Sequence, residues 1–399
     1  MGDKRIIDNW IDGYLYYMKE CESPQLYLEW SAISALAAAV QRKVWLQWGF
    51  TQFFPNFYIL LVGPPGQTRK GTALAPAKEL LRKLGIPMAP DSITREQLIR
   101  RLAEATDTMI MENGLPKSHS SLTIFSPEFC VFLNKKEERL MTDLTDWFDC
   151  GVRWDYETKN AGVDYIVGVY VNLLGATTPA LIYQSLPVDA IGSGLTSRII
   201  FVCANKKRFK QPEDLFPMSE EGKMVFENLL HDLRLIHEYK GAFKIGKSFH
   251  SRYVDWYKAM PDTPPFEPDR FSAYWSRRPT HLRKLAMLMS INSRSDLILK
   301  AEDFDKALEL LERTEAKMPL AFGCLGRDKT ASILPSIMAT IQHEKKISFG
   351  ALLKLFLKET NNWELERIIM TLKKTKFIDV QQTSDDRIII YKGMGGDNG

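Results

Sequence analysis

Residues 57–72 decide how the rest of the chain is read: Phe57-Tyr58-Ile59-Leu60-Leu61-Val62 runs directly into Gly63-Pro64-Pro65-Gly66-Gln67-Thr68-Arg69-Lys70-Gly71-Thr72. The apolar run predicts a buried strand, the Gly/Pro cluster ends it, and Ala73–Leu84 has the periodicity of a helix. Strand, glycine loop, lysine and helix together are the context of a phosphate-binding loop. Consecutive backbone N–H groups form a concave anion nest, the helix N-terminus adds partial positive charge, and one lysine neutralises the β- and γ-phosphates. Counted from Gly63 against GxxxxGK[ST], Thr68 falls on the second glycine and Arg69 on the lysine. One extra residue makes Lys70 the lysine, puts Gly71 where a magnesium-binding hydroxyl belongs, and leaves Thr72 to substitute for it. Gly63, Gly66, Arg69, Lys70, Gly71 and Thr72 are therefore the candidate ligands of ATP, with Thr72 also a candidate for Mg2+. A Gly/Pro turn carrying a solvated Arg-Lys pair is the alternative.

Working outward, SLTIF (121–125), YIVGVYVNLLG (165–175) and RIIFVCA (198–204) are further short apolar runs, with helical stretches at 72–84 and 94–105 between the strands. Buried strands alternating with helices predict an α/β fold with a parallel sheet. Residues 1–50 carry apolar positions at helical spacing and predict a helical N-terminal segment. The α/β core is expected over 51–205, and a helical, lid-like domain over 206–329, where SAYWSRRPTHLRKLAMLMSI and AEDFDKALELLERTEAKM have the strongest helical periodicity. Residues 330–392 read helix, short strand, helix, helix and two strands around Thr383-Ser384-Asp385-Asp386, the order of a winged helix. A mobile tail is expected over 393–399.

The strand at 121–125 continues as Ser126-Pro127-Glu128, a buried strand ending in an acid. Glu128 is the candidate carboxylate that orients an attacking water, and Ser126 the candidate holder of the metal's water, because the usual aspartate is Pro127 here. Glu128 also fits a plain helix-start acid. Beyond the next strand, Asn172, Thr177 and Thr178 lie where ligands of open α/β sheets bind, and Thr177 is a candidate γ-phosphate contact. Hydrogen bonding within the turn before Pro179 explains the threonines equally well. Arg198, after Gly192-Ser193-Gly194, suits a finger reaching a neighbouring subunit's nucleotide; the alternative is a surface arginine paired with an acid such as Asp189. VRWDYETKNAGVDYIV (152–167) predicts a hairpin that could carry Arg153 or Lys159 to a DNA backbone, or could merely connect elements.

Composition is permissive. Hydrophobic residues make up 45% and charged residues 26% of 399, with a net charge of +4. These are values for a globular protein of two or three domains, too mildly basic to demand nucleic acid along its whole length. Five scattered cysteines without CxxC spacing indicate neither a zinc site nor a disulfide framework. With no signal-peptide core and no long apolar window, a cytoplasmic location without membrane contact is expected.

With these blocks in order, residues 25–315 resemble a family of P-loop proteins of unassigned function from phages, prophages and mobile elements, described as helicase-like or fused to primases. The resemblance rests on FPNFYILLVGPPGQTRKGTAL, SPEF, NLLGATTP, GLTSRIIFV and RRPTHLRKLAMLM. Members carry an aspartate before the glutamate and a hydroxyl after the lysine, where this chain has Pro127 and Gly71. LTSRIIFV also looks like the arginine-finger block of minichromosome-maintenance helicases, and RRPTHLRKLAMLM like their sensor-2 helix. That likeness implies Arg198 acting in trans and Arg278 or Arg283 near the γ-phosphate, against the plain reading of a basic face on a packed helix. What it implies overall is a RecA/AAA+-like P-loop NTPase using ATP and Mg2+, a hexameric helicase-like motor on single-stranded DNA. The winged helix, with Arg367, Lys373 and Lys374, could meet duplex DNA or dock a protein. The second reading is a non-hydrolysing P-loop scaffold, an origin-recognition or loader-like protein that binds DNA through the winged helix.

Overall fold

The fold is described from a computed structural model covering residues 4–111, 113–133, 138–158, 162–185, 194–266, 268–322, 329–357, 360–383 and 386–392. It divides into two compact units, Met1–Phe322 and Gly323–Gly399.

The first unit opens with helices α1 (Trp10–Tyr17) and α2 (Gln25–Val40), then strands β1 (Val44–Trp48) and β2 (Thr51–Phe53). The quoted stretch follows as β3 (Tyr58–Val62), a loop, and α3 (Lys70–Leu84). Next come α4 (Arg95–Glu104), β4 (Thr106–Ile110), β5 (Pro116–Ser126), α5 (Phe129–Phe132) and α6 (Glu138–Phe148). A hairpin of β6 (Arg153–Thr158) and β7 (Gly162–Val167) precedes β8 (Val169–Thr177), α7 (Pro179–Ser185) and β9 (Ile199–Cys203). The unit ends with α8 (Glu220–His237), β10 (Gly241–Ile245), α9 (Lys247–Ala259), α10 (Pro268–Ser293), β11 (Ile298–Leu299) and α11 (Ala301–Glu315).

The main sheet has the order β4-β5-β8-β3-β9. β5, β8, β3 and β9 are parallel, and β4 is an antiparallel edge. Every residue of β3, β8 and β9 is buried, which is why these strands read as continuous apolar runs. α2 is buried on almost all sides and packs on the sheet, α3 and α8, so its alanines and serines serve close packing more than amphipathicity.

The run 165–175 does not form one strand. Gly168, at φ +61°, separates β7 from β8, and a Cβ there would lie 2.8 Å from the Ser118 carbonyl oxygen. The helical readings of 1–50 and 206–329 need correcting in the same way. Residues 44–53 are strands, and β10 and β11 interrupt the helical region in a second sheet, β11-β10-β1-β2. β1 pairs in parallel with β10, Val44 with Gly241, so the expected boundaries near 50 and 205 are crossed by backbone pairing.

The second unit contains α12 (Lys329–Glu344), β12 (Lys346–Ser348), α13 (Phe349–Leu355), α14 (Asn362–Lys374), β13 (Ile378–Gln382) and β14 (Arg387–Tyr391). Its antiparallel sheet has the order β12-β14-β13. Ile337, Ile341, Leu352, Leu365, Ile368 and Ile389 form its core. A capping box, Asn361 with Glu364, fixes the start of α14 by satisfying orphan N–H groups reciprocally. The tail 393–399 lies outside the described residues.

Candidate functional site

Val62, Thr177 and Cys203 are in register, as are Ser126 and Gly175, so the C-terminal ends of β5, β8, β3 and β9 form one edge. The loop 63–69 leaves that edge between β3 and α3. Gly63 is required by space: a Cβ there would meet Thr68 Oγ1 at 2.6 Å and both the Ala204 carbonyl and Tyr27 Oη at 2.7 Å. Gly66 is required by backbone, at φ +70°, while a side chain on Gly71 would meet nothing within 4 Å. Residues 65–67 form a hydrogen-bonded turn, and from Arg69 through Thr72 the backbone N–H groups find no acceptor among the described residues, the last of them opening α3. Lys70, the first residue of α3, donates from Nζ to the carbonyls of Gly63 (2.8 Å) and Pro64 (3.2 Å). Partial burial lowers its pKa, and the Glu128 carboxylate opposes that shift, so the two side chains sense each other's charge. Thr72 is exposed on the first turn.

Arg69 behaves differently. It has φ +50° and ψ +42°, the left-handed conformation that glycine adopts freely, and it directly precedes the lysine, where the pattern has glycine. Its Nε is 2.9 Å from Glu22 Oε2. The cation is thus committed to a carboxylate.

Ser126 is buried, whereas Glu128 is exposed and stands at the N-cap of α5 without a side-chain capping hydrogen bond. Both line a cavity of about 540 Å³ with Asp91, Thr94, Arg95 and Phe132. Arg95 reaches Asp143 through Nε (2.6 Å) and Nη2 (3.1 Å), and the Tyr156 hydroxyl on β6 through Nη1 (3.4 Å). Thr177 is buried, with Oγ1 3.1 Å from Cys130 Sγ, and its carbonyl accepts from the Gly63 N–H at 3.4 Å; it ties β8 to the loop. Thr178 Oγ1 accepts from the Leu181 N–H at 3.3 Å, the turn role foreseen for it. Asn172 is removed from the site: it lies deep in β8, bonded to Ser34 and the Phe57 N–H.

Three expected arginines lie elsewhere. Arg198 immediately precedes β9, and five residues of strand put it roughly 17 Å from the loop edge. It pairs with Asp149 through Nη2 and donates to the Gly194 carbonyl at 3.0 Å, with its side chain only 8% exposed. Asp189, the partner considered from sequence, lies outside the described residues. α10 crosses the same far edge: His281 contacts the Ser197 carbonyl at 3.2 Å, and Lys284 donates to Asn56 Oδ1 at 2.7 Å. Arg278 is clamped bidentately to buried Glu315, at 2.7 and 2.8 Å, between the rings of Trp275 and Trp256. Arg283 bonds the Tyr253 hydroxyl and faces the rings of Trp48, Phe53 and Tyr253. Neither reaches the phosphate loop of its own subunit; both hold helices together.

The hairpin forms as β6 and β7, Arg153 opposite Val167 and Thr158 opposite Gly162. Arg153 is exposed, 2.7 Å from Asp155 and stacked over the exposed Tyr165 ring; Lys159 lies outside the described residues. Arg367, Lys373 and Lys374 are exposed on α14. Sequence reasoning missed Glu22, Ser23, Tyr27 and Arg95. They come from segments distant in sequence and carry no motif, so only the folded chain brings Glu22, Ser23 and Tyr27 to the loop and Arg95 to the cavity that Glu128 lines. No protein-family model matches this chain, and no curated protein matches it.

Proposed function

We propose that the first unit binds a nucleoside triphosphate on the loop 63–72 and hydrolyses it as a helicase-like motor on DNA. One observation carries this reading: N–H groups from Arg69 to Thr72 without an acceptor among the described residues, the Lys70 ammonium and the exposed Glu128 carboxylate converge at the C-terminal edge of a parallel sheet, where such sheets bind ligands. Lys70 exchanges two carbonyl contacts for phosphate oxygens, and Glu128 holds the attacking water.

The residues fit magnesium modestly. Among the described residues no group of three or more His, Cys, Asp or Glu side chains is set to hold a metal, but magnesium on nucleotides needs few protein ligands and keeps waters. Thr72 would bind it, with Ser126 or Glu128 reached through water, and when bound it would neutralise charge on the β- and γ-phosphates. Arg198, at the far edge, is out of reach of its own subunit's loop. Acting on a neighbour's nucleotide in a hexameric ring would require this nearly buried side chain to be released by both Asp149 and the Gly194 carbonyl. The exposed Arg153 and Tyr165 of the hairpin suit a single strand through a phosphate contact and a stacking ring. The second unit has the element order of a winged helix, with Arg367, Lys373 and Lys374 on the helix that would enter a groove.

The competing scaffold reading draws on Pro127 and Gly71, which remove the usual carboxylate and hydroxyl. Steady-state ATP turnover with and without single-stranded DNA decides. The motor reading predicts DNA-stimulated turnover, abolished in Glu128→Gln while ATP still binds. Binding without turnover in the wild type would leave the scaffold.

A further inference from the structure

We infer that Glu22 is the positioning residue of the phosphate loop: it locks Arg69 in the left-handed conformation that a glycine would otherwise supply. The inference rests on the nucleotide reading above for its effect on affinity, but the latch itself is a property of the free protein. At φ +50° a residue with a Cβ pays a steric penalty that glycine does not, so an arginine directly before Lys70 needs external restraint. The chain provides two restraints from the turn between α1 and α2. Ser23 Oγ donates to the Arg69 carbonyl at 2.9 Å, and Glu22 Oε2 accepts from Arg69 Nε at 2.9 Å.

Glu22 is itself anchored. Its other oxygen accepts from Lys207 and, at 3.0 Å, from the Gln211 N–H, and its carbonyl accepts from the Arg208 N–H at 2.8 Å. Arg208 then ties back to the carbonyls of Met18, Lys19 and Cys21. The Lys207 contact, with the Gln211 N–H and Arg69, holds the Glu22 carboxyl at a pKa of about 2, so the latch stays charged. The same segment after β9 supplies the Ala204 carbonyl that walls Gly63. Both ends of the loop are therefore set by one turn and one segment before any ligand arrives.

Arg69 could act in one of two separable ways. If it only shapes the loop, glycine replaces it; if it touches phosphate, glycine does not. The tests are ATP affinity by calorimetry and amide hydrogen exchange, without nucleotide, at Ala73, whose N–H donates to the Arg69 carbonyl at 3.2 Å, with thermal unfolding as the control for folding. Glu22→Gln is expected to speed exchange at Ala73 and to weaken ATP binding roughly tenfold. Arg69→Gly keeps ATP affinity within about twofold, and adding Glu22→Gln to it changes neither readout further. Arg69→Gly losing as much affinity as Lys70→Ala would make Arg69 a phosphate ligand and overturn the inference. So would a Glu22→Gln effect that persists undiminished in the Arg69→Gly background, or wild-type exchange in Glu22→Gln. A wild type that binds no ATP removes the nucleotide reading, while the exchange data alone still decide the latch.

Discussion

At the scale of single residues, the degenerate motif becomes intelligible. Arg69 stands at the glycine position and adopts a glycine's backbone, at φ +50°, and Lys70 takes the lysine's place by curling over the loop. Gly71 has no such reason: nothing lies within 4 Å of a Cβ there and its φ is not positive. A serine at this position therefore costs no strain, and within α3 it is favoured over glycine by a few tenths of a kcal/mol, roughly 0.3–0.5. It also restores a hydroxyl directly after the lysine. Gly71→Ser is expected to raise the thermal midpoint slightly and to increase magnesium-dependent ATP turnover about twofold or more. A serine variant with lower turnover at equal stability would show that Thr72 already fills that role and is displaced. These details were only half legible. The strand, loop and helix follow from local composition, but the partner of Arg69 is 47 positions away, and no local pattern encodes such a pairing.

At the scale of elements, the sheet was readable because β3, β8 and β9 are buried along their whole length and so appear as unbroken apolar runs. β1 and β10 were not, since VWLQW and GAFKI are short and GAFKI is mostly exposed, and their pairing joins segments almost two hundred residues apart. α10 shows the opposite failure. Its arginines were legible as residues but not by direction, because the partner of Arg278 is on α11. Both side chains of that pair are 5% exposed, and removing one partner of a buried pair leaves the other charge uncompensated. Arg278→Ala is expected to cost about 3–5 kcal/mol of stability in denaturant unfolding, without lowering ATP turnover per folded molecule. Replacing the buried group as a whole, Arg278→Met with Glu315→Leu and Tyr274→Phe because the Tyr274 hydroxyl also donates to Glu315, is expected to recover most of the loss, since well-packed apolar substitutes for buried pairs are often neutral. Full stability with lost turnover in Arg278→Ala would return this arginine to the nucleotide.

At the scale of the whole molecule, the two ends of one sheet divide the work. The C-terminal edge gathers the loop, Lys70, Glu128 and the cavity beside Arg95. The N-terminal edge gathers Arg198, Asp149 and the cations of α10. Arg95 spans from that cavity to Tyr156 on the hairpin, a physical connection between the cavity that Glu128 lines and the proposed DNA hairpin. Among the described residues no helix is long and apolar enough to cross a membrane. Everything proposed depends on the loop binding a triphosphate through Lys70, and calorimetric titration of ATP into wild type and Lys70→Ala tests it most directly, with thermal unfolding to show that the fold is intact. The wild type is predicted to bind, and the variant to lose about ten- to a hundredfold in affinity at unchanged unfolding temperature, the loss of a charge-assisted hydrogen bond worth about 1.5–3 kcal/mol. A wild type that takes up no ATP, or a Lys70→Ala variant that binds it equally well, would contradict the account.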